Sequence, residues 1–155
     1  MSAYATTKKV LTSLHGKLIG LSQDKKLVAF GKTALLQDDQ GVFLQLQNGT
    51  VAINATATLT IANILTKLVT STTAAAVVAT LPTGTLVDAG FSGDNALAVN
   101  ESFDWTVINT GANTFTLSAG ATHTIVGNAV VAATSSGTFR TRKTAANTFV
   151  TYRIA

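Results

Sequence analysis

Ser102-Phe103-Asp104-Trp105-Thr106-Val107-Ile108-Asn109 carries the reading of the fold. Phe103, Trp105 and Val107 alternate with Asp104, Thr106 and Ile108, the two-residue period of a strand with one face turned inward. The pattern recurs downstream. Phe115 and Leu117 alternate with Thr114, Thr116 and Ser118. Phe139 and Thr141 alternate with Arg140 and Arg142. Val150, Tyr152 and Ile154 alternate with Phe149, Thr151 and Arg153. Short strands with turns about every 8–12 residues describe a β-sandwich or barrel. The expected fold is all-β: an antiparallel β-sandwich or jelly-roll-like module with a short helix and an N-terminal arm. The expected core is Phe103, Trp105, Val107, Phe115, Leu117, Phe139 and Tyr152.

Working upstream, Thr83 to Ala89 suits one short helix, with Thr83 as N-cap, Gly90 as C-cap and Pro82 closing the strand before it. Residues 67–71 and 76–81 read as strands, and Thr58–Leu65 as either a strand or a helix capped by Thr60. Asn48-Gly49 is a hairpin signal between Val42–Gln47 and Val51–Ile53, because both residues tolerate positive φ. Lys17–Leu21 and Leu27–Phe30 flank a second turn containing Asp24, and Ala3–Thr12 reads as an arm. These signals divide the chain into 1–55, a basic arm with hairpins, and 56–155, the β module. WTVINTGANTF (105–115) and FRTRKTAANTF (139–149) echo each other without gaps and read as two similar hairpins; two copies do not make a solenoid.

Composition bears on surface and partners. Hydrophobic residues make up 46% of the 155 and charged residues 12%, against about 25% charged in an average soluble domain. Thr occurs 27 times, a β-branched residue suited to a pleated surface. So few charges imply that much of the surface is covered by other copies. With no Cys there is no disulfide or thiolate chemistry. The N-terminus lacks the uninterrupted apolar run of a signal peptide, and Trp105–Phe139, although uncharged, is broken throughout by Thr, Asn, Ser and Gly, so no membrane partner is expected. The basic residues Lys8, Lys9, Lys17, Lys25, Lys26 and Lys32 sit at the front of the chain, acids predominate in the middle, and Arg140, Arg142, Lys143 and Arg153 lie at the back. That polarity suits contacts between copies, or with an acidic protein surface. The basic residues are not interleaved with stacking aromatics, so no nucleic-acid partner is expected.

No catalytic constellation is legible. Neither His15 nor His123 lies in a nucleophile–base motif, and there is no G-x-S-x-G or phosphate-binding glycine loop. Asp38-Asp39 would diverge from a turn. Asp88, Asp94, Glu101 and Asp104 match no Ca²⁺ loop and read as solvated acids. His123 could meet its copies on a threefold axis and hold an ion, but symmetry alone does not create a site. The expectation is therefore no enzyme, no cofactor and no metal.

Three segments together resemble a β module of tailed-bacteriophage virion proteins: VVATLPTGTLVDAG (77–90), SFDWTVINTGANTFTLSAGATHTIVG (102–127) and SSGTFRTRKTAANTFVTYRI (135–154). The order is an apolar strand ending in Leu-Pro, a short helix, a Ser-Phe-Asp strand, a Thr-rich hairpin and a closing strand. The likeness spans roughly residues 60–155 and rests on style and order rather than on a catalytic motif. ATTKKVLTSLHGKLIGLS (5–22) is similar to the openings of small phage structural proteins. The resemblance implies a head decoration (cement) protein: a homotrimer bound to the major capsid protein on the outer capsid surface of the virion, made in the host bacterial cytoplasm. In that setting the six N-terminal lysines are the capsid-contact candidates. The alternative it leaves open is a head or tail fibre module for attachment to host glycans.

Overall fold

In a computed structural model of the chain, the described residues are 47, 49–92 and 96–155, together with the backbone of five strands before them. Those strands are β1 (Leu11–Thr12), β2 (Leu18–Ile19), β3 (Lys26–Phe30), β4 (Thr33–Gln37) and β5 (Phe43–Leu44). The chain divides into two units, 1–46 and 47–155. The expected boundary between residues 55 and 56 thus falls inside the second unit. In the first unit β1 pairs with β2, and β3–β4–β5 form an antiparallel sheet. Lys17–Leu21 and Leu27–Phe30 therefore do not form the expected hairpin, since β2 returns on β1 and β3 on β4.

The second unit is all-β with two short helices. Its elements are β6 (Val51–Ala52), β7 (Ala57–Thr58), α1 (Ile61–Leu65), β8 (Leu68–Ser71), β9 (Val77–Thr80), α2 (Gly84–Gly90), β10 (Ser102–Asn109), β11 (Phe115–Ser118), β12 (His123–Val126), β13 (Val130–Val131), β14 (Ser135–Ala145) and β15 (Thr148–Arg153). One sheet has the order β12-β15-β14-β10-β8-β6, the other β13-β11-β9-β7.

The antiparallel expectation holds for β10–β14, β14–β15 and β11–β13. It fails for β6–β8, β8–β10, β7–β9, β9–β11 and β12–β15, which are parallel. The first four of these pairs have one origin. Three times the chain runs up a strand of the first sheet, arches over and continues in a strand of the second: β6 to β7, β8 to β9, β10 to β11. The three arches, residues 53–56, 72–76 and 110–114, are bonded to one another. Asn54 Oδ1 accepts from the Thr72 amide at 2.8 Å, and Thr56 Oγ1 from the Val78 amide at 3.1 Å. The Thr110 amide donates to Ser71 O at 2.8 Å, and Asn113 Nδ2 donates to Ala74 O. Gly111 is required here, because a Cβ would collide with the Thr73 carbonyl.

This topology corrects two hairpins. Asn48-Gly49 does not join one, since β5 pairs with β4 and β6 with β8. Of the two echoed segments, 139–149 closes the β14–β15 hairpin, with Asn147 at φ 54° in its turn. Segment 105–115 is an arch between sheets. The difference is Asn109, which is buried; its Nδ2 donates to Asn113 O at 2.7 Å and Ala132 O at 3.0 Å, and its Oδ1 accepts from the Gly111 amide at 3.1 Å. Position 143, aligned with it, is Lys143, whose long side chain bonds elsewhere.

Side chains from both sheets enter one buried cluster. Val69, Trp105, Val107 and Phe139 come from the first sheet, Val77, Ala79, Phe115, Leu117 and Val131 from the second, and Leu59, Ile64 and Leu81 from their flanks. Trp105 and Phe139 are direct cross-strand partners, their rings stacked 5.1 Å apart. Phe103 is partly buried and packs at 5.2 Å against Phe91. Tyr152, expected in the core, lies outside it. On β15 Phe149 and Thr151 are buried, so the alternation runs one residue out of phase with the expectation and turns Val150 and Tyr152 outward. Thr60 caps α1 with a reciprocal pair: its Oγ1 accepts from the Asn63 amide, and Asn63 Oδ1 accepts from the Thr60 amide. Thr83 caps α2, whose last residue is Gly90, with Phe91 in the expected glycine's place.

Candidate assembly surface

The face of the six-stranded sheet opposite the core is built by the register. Four rows cross it. Ala52, Thr70, Ile108 and Ser136 form one; Leu68, Thr106 and Thr138 the next; Asp104, Arg140, Tyr152 and Val126 the third; Ser102, Arg142, Val150 and Thr124 the fourth. Each is the partner set opposite in phase to Trp105, Val107, Phe139 and Thr151, so its chemistry follows from strict alternation. Small hydroxyls and branched apolar groups dominate. At the corner by β12 and β15, Val126 is 50% and Ile154 46% exposed.

Asp104, Arg140 and Arg142 are the charged members of these rows. Arg140 grips Asp104 with two parallel bonds, Nε to Oδ1 at 2.7 Å and Nη2 to Oδ2 at 2.8 Å. The hydrogen bond from Arg140 holds the Asp104 carboxyl below the usual carboxylate range, against an upward push from desolvation, and the same bond raises the Arg140 guanidinium. Arg142 donates to Asn100 Oδ1 at 3.0 Å and Tyr152 Oη at 3.2 Å, its guanidinium 5.8 Å from the centre of the Tyr152 ring. The third row thus neutralises its own charge, the fourth keeps the Arg142 charge with its Nη atoms bonded to neutral groups, and the rest of the face is uncharged and Thr-rich.

The acids singled out in the sequence do not converge. Asp88 pairs with Lys143 at 2.6 Å and accepts from the Asn147 amide at 2.7 Å. Desolvation pushes its carboxyl up, but the bonds from Lys143 and Asn147 outweigh it and hold the carboxyl below its ordinary value. Glu101 Oε2 accepts from the Ala98 amide, and Asp94 lies outside the described residues. Among the described residues no group of three or more His, Asp or Glu is placed to hold a metal ion, and no helix is long and apolar enough to cross a membrane.

No family model, curated protein or solved structure matches the chain. Of the capsid-contact candidates, Lys8, Lys9, Lys17, Lys25 and Lys32 lie outside the described residues; Lys26 opens β3, whose backbone alone is described. Trp105, Val107, Phe115, Leu117 and Phe139 are buried. Sequence reasoning missed the Asp104–Arg140 bridge, which needs the β10–β14 register, and the outward turn of Tyr152. The Thr-rich phase of each strand was the one signal for this face.

Proposed function

We propose that the chain is a structural virion protein, a head decoration protein that trimerises and binds the major capsid protein on the outer shell. In this reading the two sheets form a sandwich, the uncharged Thr-rich face packs against sister copies, and the N-terminal lysines lie on an acidic capsid surface. The observation that carries the reading is the outer face of the six-stranded sheet, a broad surface made mainly of Thr, Ser and branched apolar groups, on which Asp104 and Arg140 are bonded to each other. Three modest grips on a shell, made by one trimer, multiply through effective concentration. The test is light scattering on purified protein, followed by co-sedimentation with expanded capsids. A trimer that sediments with expanded capsids and not with procapsids supports the reading. A monomer at high concentration that ignores capsids overturns it.

One observation favours a second reading, a fibre module for attachment to host glycans. The three stacked arches are a short stretch of the parallel architecture from which fibre shafts are built. Binding to a glycan array without capsid binding would reverse the order of the two.

A further inference from the structure

A line of hydrogen bonds runs through the buried interior between β10, β14, β15 and β12. Trp105 Nε1 donates to Thr141 Oγ1 at 3.1 Å, Thr141 Oγ1 and Thr151 Oγ1 are 2.8 Å apart, Thr151 Oγ1 is 2.7 Å from His123 Nε2, and His123 Nδ1 is 3.0 Å from the Pro82 carbonyl. Both ends are chemically fixed: an indole N–H only donates and a carbonyl only accepts. With the imidazole neutral, the direction is therefore unique. Thr141 donates to Thr151, Thr151 donates to Nε2, and Nδ1–H donates to Pro82. Every hydrogen then has an acceptor, and the neutral ring is the Nδ1–H tautomer.

We propose that His123 is an acid-sensitive latch, which when neutral ties edge strand β12 to β15 and to the Pro82 segment, and on protonation releases β12. A proton on Nε2 forces Thr151 to accept there and to turn its own hydrogen toward Thr141. Thr141, already accepting from Trp105, is left with a hydroxyl hydrogen lacking its former acceptor inside the core. Among the described residues the new charge also finds no carboxylate that is not already bonded elsewhere. On the inner faces of the strands around His123 the charged groups are Lys143 on β14 and Arg153 on β15; α2 brings Asp88. Asp88 is bonded to Lys143, and Arg153 donates to the carbonyls of Val130 and Ser136. Asp104, Arg140, Arg142 and Tyr152 occupy the opposite face, and β12 and the Pro82 segment contribute no other titrating side chain. Burial accordingly pushes the imidazole below its ordinary value of 6.5, with the Pro82 bond opposing. β12 is the element to give way, because among the described strands it pairs with β15 alone.

The experiment uses the full chain carrying His15→Gln, which leaves one imidazole. Ring ¹⁵N shifts and amide hydrogen exchange of β12, corrected for intrinsic rates, are followed from pH 8 to 5. The expected ring signals are those of the neutral Nδ1–H form, and the opening of β12 rises by up to about tenfold per pH unit below 6.5. An Nε2–H tautomer, or a charged ring at pH 5 with β12 still protected, would overturn the proposal. So would a pH-dependent opening that persists in His123→Gln. The His123 ring signals of the His15→Gln chain decide the matter even where that variant does not fold.

Discussion

Asn109→Ala tests whether the third arch is held by one side chain. The Asn109 amide group reaches the carbonyls of Asn113, Ala132 and, at 3.3 Å, Val131, while its oxygen receives the buried Gly111 amide. Two amide hydrogens shared among three carbonyls amount to about two full bonds, and Gly111 supplies a third. At about 1 kcal/mol net for each bond lost, the substitution costs about 3 kcal/mol. For a unit of this size that is a fall of about 15 °C in Tm. Asn109→Asp should be worse at neutral pH, because it keeps the bond from Gly111 but turns a carboxylate toward three carbonyls. Urea unfolding followed by Trp105 fluorescence gives the free energy. A loss below about 1 kcal/mol in Asn109→Ala, with unchanged m-value, would refute the claim that Asn109 holds the arch.

Phe139→Ala removes the ring stacked on Trp105 at the centre of the cluster and should cost about 3–5 kcal/mol by urea unfolding. Thr60→Ala should remove about 1 kcal/mol by breaking the reciprocal cap of α1, measured the same way. Arg140→Gln should leave the melting temperature of isolated protein nearly unchanged, because both partners of its bridge are nearly half exposed. Acid should act in two windows. His123 has a lowered value in the fold, so the unfolded chain binds the extra proton first and stability falls as pH drops below 6.5. Asp88 and Asp104 are also lowered, so their contribution, complete above 3.8, is lost only as pH falls below that value. Melting curves from pH 8 to 2 should show both, and His123→Gln should abolish the first alone.

Alternation made the strands legible, and on β10 it gave the correct inward phase, because Trp105 and Val107 are too apolar to face water. On β15 it misled. Phe149 and Tyr152 are both aromatic and stand on opposite faces, and the small polar Thr151 belongs inside because His123 and Thr141 need it there. Pairing direction was invisible, since a period of two is the same in parallel and antiparallel ladders. The stack of arches escaped notice for a related reason. Val51, Val69 and Val107 are neighbours in register, yet α1 alone separates the first strands, while α2 and a long loop separate the second, so no constant period exists to detect. His123 looked like a surface group available to an axis, and it is 2% exposed with both ring nitrogens bonded. The outer sheet face was foreshadowed by the Thr content, but its one bidentate bridge depends on two residues whose encounter only the register creates.

The placement of β15 has a consequence for biosynthesis. β12 lies beside β15, so a chain emerging from the ribosome can dock β14 on β10 but cannot seat His123 or β12 in the sheet until Thr148–Arg153 has been made. The rungs formed by β6 to β11 can stack earlier, but they do so with one flank unfinished. Maturation of this unit therefore waits on its final strand, and a synthesis arrest upstream of Thr148 would yield a product with an open, adhesive side rather than a smaller working protein.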